Sequence, residues 1–213
     1  KVDLTETAAQ RIHVNYGSDT ILNIENVIGS TKNDYIVGSN ENNILDGKGG
    51  NDYFVLGQGQ DTILGDAGTD TIAFTETTRT AGVNVDLGKN QTYGSPDSYR
   101  VVNDGFGNAK YLDSIENIIG TSYADIIFGN NDANQLFGAA GDDTLKGGTG
   151  DDYIHGGNNT SVGDTVDYSD AGSSVTIDMS GSSVSVGAGL GTDTLVDIEN
   201  ALGSDYDYTF YSD

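Results

Sequence analysis

The sequence predicts an all-β fold, wound as a coil in which very short strands alternate with glycine-rich turns. Three observations predict it. A nine-residue pattern, Gly-Gly-x-Gly-x-Asp-x-(apolar)-x, recurs in two runs, from Gly29 to Ala73 and from Gly120 to His155, with an imperfect extra copy after the second. Hydrophobic residues make up 35% of the 213-residue chain, low for one compact core of this length. No stretch carries the 3.6-residue periodicity of an amphipathic helix, whereas a repeat of this length suits a stacked coil.

The elements follow in order. Residues 1–28 hold leading strands, with the alternating stretch Ile12-His13-Val14-Asn15-Tyr16 and an Ile24-Glu25-Asn26 signature. Residues 29–74 form the first coil, whose best copy reads Gly47-Lys48-Gly49-Gly50-Asn51-Asp52-Tyr53-Phe54-Val55. Residues 75–119 are connecting strands and a loop, with Val83-Asn84-Val85-Asp86-Leu87 and Ile115-Glu116-Asn117. Residues 120–168 form the second coil, and residues 169–213 a cap with Val175-Thr176-Ile177-Asp178-Met179 and Ile198-Glu199-Asn200. In the cap the repeat erodes: Tyr208 stands where Asp is expected and Ser212 where the next Gly belongs. The period-two stretches are expected to pair with the ends of each coil and cover its open edges. The first two copies of both runs lack the fourth-position Gly, a shared irregularity that points to duplication of one longer unit. A chain starting Lys-Val-Asp-Leu, without Met or a signal peptide, reads as a piece of a longer polypeptide.

Charge narrows the partners. With 33 acidic and 9 basic residues the formal net charge is −24, which disfavours nucleic acid and anionic membrane. No apolar run approaches the roughly 18 residues of a membrane-spanning helix. Cysteine is absent, so no disulfide framework exists. Without counterions such a chain repels itself; with divalent cations bound, much of that repulsion vanishes.

The carboxylate at the sixth position is placed to meet such a cation. In register these positions are Asp34, Asn43, Asp52, Asp61 and Asp70 in the first run, then Asp125, Asn134, Asp143 and Asp152, with Asp164 in the imperfect copy. Nine residues per half-turn stack copy n on copy n+2. Asp34 therefore faces Asp52, Asn43 faces Asp61, Asp52 faces Asp70, Asp125 faces Asp143, Asn134 faces Asp152 and Asp143 faces Asp164. Three extra residues within 159–162 put the register of Asp164 in question. Glycines at the first, second and fourth positions are expected to allow positive φ and to turn carbonyls inward. An all-oxygen cage of this kind is Ca²⁺ chemistry, whereas Mg²⁺ wants a tighter octahedron and Zn²⁺ wants His or Cys. The pairs predict about six ions, within a range of roughly four to nine. The apolar eighth positions should stack inside the coil, Ile36, Phe54 and Ile72 on one wall and Leu45 and Ile63 on the other.

These tandem copies in register resemble the RTX (repeats-in-toxin) calcium-binding modules of secreted bacterial proteins. The resemblance covers about half the chain directly, and most of the rest as flanking Ile-Glu-Asn units. It implies a right-handed parallel β-roll or β-helix with Ca²⁺ between turns, here as two short rolls with flanking and capping strands. It also implies export by a type I secretion system in a calcium-free, unfolded state, with folding outside the cell or at its surface. Asn43 and Asn134 depart from the pattern and imply weaker sites, while Tyr208 implies none.

The function expected is a non-catalytic calcium-binding module of a large secreted protein, part of an adhesin. The alternatives are the accessory module of a secreted enzyme, such as a polysaccharide-modifying one, and a glycan- or surface-binding module. Catalytic residues are not expected: no His-Glu-x-x-His and no Gly-x-Ser-x-Gly is present. The glycan reading would use residues 88–111, which combine Tyr93, Tyr99 and Phe106 with Lys89, Arg100 and Lys110. The plainer reading of that segment is an exposed loop between the rolls. Glu25, Glu116 and Glu199 read as structural rather than ligating, and Asp66, Asp142 and Asp151 as solvent-facing charge.

Overall fold

The computed structural model describes residues 1–13, 17–88, 100–179, 184–186 and 191–211, and every regular element among them is a strand. Most strands are three residues long and correspond to positions seven to nine of the repeat. The middle residue points inward and its neighbours outward, as period two requires. Tyr35–Val37, Tyr53–Val55 and Thr71–Ala73 pair parallel in steps of 18 residues, with Ile36 opposite Phe54 and Phe54 opposite Ile72. Asn26–Ile28, Ile44–Asp46 and Thr62–Leu64 do the same across the coil, with Leu45 opposite Ile63. The two ladders expected inside the coil are therefore present. Phe54, Leu45, Ile63 and Ile72 are each fully buried, and burial of one such side chain stabilises by about 1.5–3 kcal/mol.

The two rolls share one wall. Thr71–Ala73, the last strand of the first roll on that side, pairs parallel with Asn117–Ile119, and this strand pairs parallel with Gln135–Ala140 of the second roll. The resulting sheet has 11 strands and runs from Val2–Asp3 at one edge to Tyr208–Tyr211 at the other. On the opposite side the rolls remain separate, as a four-stranded sheet ending in Tyr111–Asp113 and a six-stranded sheet beginning with Val101–Asn103.

Register explains the Ile-Glu-Asn signatures. Asn26 stands opposite Ile44, Asn117 opposite Thr71 and Asn200 opposite Thr165. Each signature is thus a rung of the coil itself, with Glu at the sixth position and the apolar eighth position inside. Glu116 and Glu199 accept the backbone N–H of Asp70 and Asp164 at 2.8 and 2.9 Å, the structural role expected of them.

Of the three alternating stretches expected to cover roll ends, the second does so. Residues 14–16 of the first lie outside the described residues, and its Gln10–His13 pairs antiparallel with Gly17–Asp19. Asn84–Asp86 pairs parallel with Ile126–Phe128 at the head of the second roll, and Val175–Asp178 pairs parallel with Tyr208–Tyr211. Residues 89–99 of the segment expected to be an exposed loop, with Lys89, Tyr93 and Tyr99, lie outside the described residues. The rest of the segment is built in. Val101–Asn103 pairs antiparallel with Asn84–Asp86, and Val101 also bridges Lys110 across a hairpin. Lys110, expected to be an exposed cation, is fully buried.

Candidate calcium-binding turns

The turns between rungs sort the ten sixth-position residues into three groups, beginning from a shared feature. The backbone N–H of one residue donates to the side-chain Oδ1 of the residue two copies on: Asp34 to Asp52, Asn43 to Asp61 and Asp52 to Asp70 in the first roll. In the second roll Asp125 donates to Asp143, Asn134 to Asp152 and Asp143 to Asp164, all at 2.7–2.8 Å. The n, n+2 pairs are brought together, each by a hydrogen bond from the backbone of one residue to the carboxylate of the other. One oxygen of each acceptor is thereby used, and the fate of the other distinguishes the groups.

In four turns the remaining valence is met locally. Ser30 N–H donates to Asp34 Oδ2, Ser39 N–H to Asn43 Oδ1, Thr121 N–H to Asp125 Oδ2 and Asn130 N–H to Asn134 Oδ1. The donor is always the second residue of its copy. Asn43 and Asn134 add an Nδ2–H to the carbonyls of Glu25 and Glu116. These are the first two copies of each run, the ones without Gly at position four, and they are closed turns.

In five turns Oδ2 is buried and has no hydrogen-bond partner: Asp52, Asp70, Asp143, Asp152 and Asp164. The second residues of these same five copies, Lys48, Asp66, Ala139, Gly148 and Gly157, all have positive φ, between 63° and 113°. A left-handed second residue and an orphaned carboxylate oxygen therefore coincide turn by turn. The first-position glycines, expected to serve positive φ, do not have it. Instead they leave room for the carboxylate, since a Cβ on Gly47, Gly138, Gly147 or Gly156 would run into the Oδ2 of the same turn. The second position tolerates Lys48, Asp66 and Ala139 in the left-handed region that the pattern assigns to Gly.

The tenth residue, Asp61, has its Oδ2 taken by the Lys110 ammonium at 2.7 Å.

Residues 23–54, 37–72, 112–145 and 137–160 match the RTX calcium-binding nonapeptide repeat, in four copies. The coils of this chain are RTX repeats. No curated protein matches the chain. Among solved structures it is similar to the crystal structure of the extracellular lipase LipA from Serratia marcescens, with 18% identity and a TM-score of 0.32, over 87% of this chain and 40% of that one. The chain thus spans about two fifths of the length of that protein.

The residues present fit the calcium that RTX repeats bind. An unpartnered, buried carboxylate oxygen is costly without a cation or donor beside it. Burial, the largest cause, pushes the carboxyls of Asp143 and Asp152 up to about 7 and that of Asp70 to about 6, and raises Asp52 and Asp164 as well. A divalent cation would reverse this by favouring the charged form. Among the described residues no three His, Cys, Asp or Glu side chains converge, so a turn offers at most two carboxylates and the other ligands would be carbonyls and water. That is hard-cation chemistry.

The structure adds one residue that the repeat register omitted. Asp193 accepts the backbone N–H of Asp152 at 3.1 Å, as the next rung's Asp should, but its Oδ2 accepts the Tyr168 hydroxyl at 2.6 Å. The tail of a repeat is visible there as Gly191-Thr192-Asp193-Thr194-Leu195-Val196, but it stands 41 residues from Asp152 where 18 is the regular step, and this hides the register. The fifth positions are also more than solvent-facing charge. Asp142 accepts the N–H groups of Thr160, Ser161 and Val162, and Asp151 that of Thr192.

Proposed function

We propose that this chain is a non-catalytic, calcium-triggered folding module of a large secreted bacterial protein, with five ions at the turns of Asp52, Asp70, Asp143, Asp152 and Asp164. The observation that supports it is the coincidence, in those turns and in none of the closed four, of a left-handed second residue with a buried, unpartnered Oδ2. Five divalent ions would offset ten of the 24 net negative charges.

Extracellular calcium modules bind with Kd of about 10⁻⁴ to 10⁻³ M, so the turns would fill outside the cell and stay empty in the cytosol. A chain unfolded inside and folded outside suits passage through a type I exporter. The long sheet carries the chain from Val2 at one edge to Tyr211 at the other, which suits a rigid spacer, and a place in an adhesin is the role we assign. Circular dichroism during calcium titration, then with chelator, tests the central reading. β-structure should appear near millimolar calcium and vanish on chelation, and a fold indifferent to chelator would reject it.

A further inference from the structure

The joint between the rolls holds a cation of its own. Lys110 lies one rung above Asp61, because Tyr111 stands opposite Thr62 and donates its N–H to the Asp61 carbonyl at 2.9 Å. In the repeat pattern an Asp belongs at that position. The Lys110 side chain instead folds back into the turn below. Its Nζ donates to Gly57 O at 3.0 Å, Gly59 O at 2.8 Å and Asp61 Oδ2 at 2.7 Å. Gly57, Gly59 and Asp61 are the second, fourth and sixth residues of one copy, so one repeat turn converges three oxygens on one positive charge. The ammonium also pairs with Asp104 at 2.9 Å, and both side chains are fully buried.

Neighbouring groups suit a permanent charge at this point. Burial alone would raise the Asp104 carboxyl, but the Asn108 N–H and Lys110 hold it below the ordinary carboxylate range. Buried Arg79 donates to the carbonyls of Leu56 and Asp104, with its guanidinium 5.1 Å from the Phe74 ring and 4.7 Å from that of Phe106. Asp61, Asp104, Lys110 and Arg79 together are formally neutral without any metal. The parallel stack of this wall ends at the rung of Tyr111–Asp113, where Lys110 makes an antiparallel bridge to Val101.

We infer that Lys110 is a built-in substitute for a calcium ion, occupying the Asp61 turn so that the joint between the rolls holds together without metal. The inference rests on the calcium reading of the other turns and goes beyond it. The Asp61 turn takes its cation from the chain, the five open turns take theirs from solution, and the joint is indifferent to calcium concentration.

Anomalous scattering from wild-type crystals grown in calcium decides the point. Peaks are expected at open turns and none against Asp61. A peak against Asp61 beside peaks elsewhere overturns this inference alone, and peaks nowhere overturn the calcium reading and this inference with it. Counting ions by native mass spectrometry gives a second test. Lys110→Asp restores the pattern residue and should bind one more ion than wild type, while Asp61→Asn should bind the same number as wild type. If Lys110→Asp does not fold, Asp61→Asn and the wild-type crystals still decide, and loss of an ion in Asp61→Asn overturns the inference.

Discussion

Asp143 donates its backbone N–H to Asp164 Oδ1 at 2.7 Å across 21 residues, where the other five n, n+2 pairs of sixth-position residues step by 18. The three extra residues do not shift the register because Asp142 holds them outside the coil. Its carboxylate accepts the N–H groups of Thr160, Ser161, Val162 and Gly163, and the Ser161 hydroxyl. The insertion is thus tied to the carboxylate next to Asp143, and Asp164 arrives in place.

Asp142→Ala is therefore expected to loosen the insertion and weaken binding at the Asp164 turn while leaving the first roll untouched. Isothermal titration should show one of the five proposed sites weakened several-fold. An unchanged isotherm would mean that the insertion holds its own shape.

Asp52→Ala and Asn43→Ala should separate cleanly. Asp52 carries an orphaned oxygen and accepts the Asp34 N–H, so its loss should remove one ion and raise the calcium midpoint of folding several-fold. Asn43 sits in a closed turn, and its loss should leave the ion count unchanged at a cost of about 1 kcal/mol in stability for broken hydrogen bonds. Equal calcium dependence of the two variants would contradict the division into open and closed turns.

First-position glycines can be tested by adding one methyl. A Cβ on Gly147 would collide with Asp152 Oδ2, so Gly147→Ala should cost about 1–3 kcal/mol and impair one calcium turn. Gly172→Ala is the control, since nothing lies within 4 Å of its Cβ. Chemical denaturation in saturating calcium compares the two, and similar midpoints would refute the steric account.

Acid should partly replace calcium. In the metal-free chain burial lifts Asp143 and Asp152 to about 7 and Asp70 to about 6, against an ordinary value of 3.8. The folded chain then binds more protons than the unfolded one between about pH 4 and pH 7, so folding stability falls as pH rises through that window. With chelator present, more β-structure is expected at about pH 5 than at about pH 7.5. Circular dichroism reads it directly, and a chain with equal or less structure at the lower pH would speak against these buried carboxyls.

Much of this molecule is legible in its residues. The nine-residue period places the sixth-position residues from Asp34 to Asp70 and from Asp125 to Asp152, and the alternation within positions seven to nine selects Ile36, Phe54, Leu45 and Ile63 as interior. Both follow from local rules: a strand has period two, and a repeat of fixed length stacks on itself. Even the closed turns left a trace, since their copies lack Gly at position four and carry Ser, Thr or Asn at position two. Such a residue can stay out of the left-handed region and present its amide to the carboxylate. The distant contacts left no such trace. No local pattern tells that Lys110, 49 residues from Asp61, enters that turn, that Tyr168 closes Asp193, or that Thr71–Ala73 and Asn117–Ile119 join the two rolls along one wall. Whether a turn binds metal depends on whether a carboxylate oxygen is left without a donor. That is a property of everything packed around it, and only the folded chain decides it.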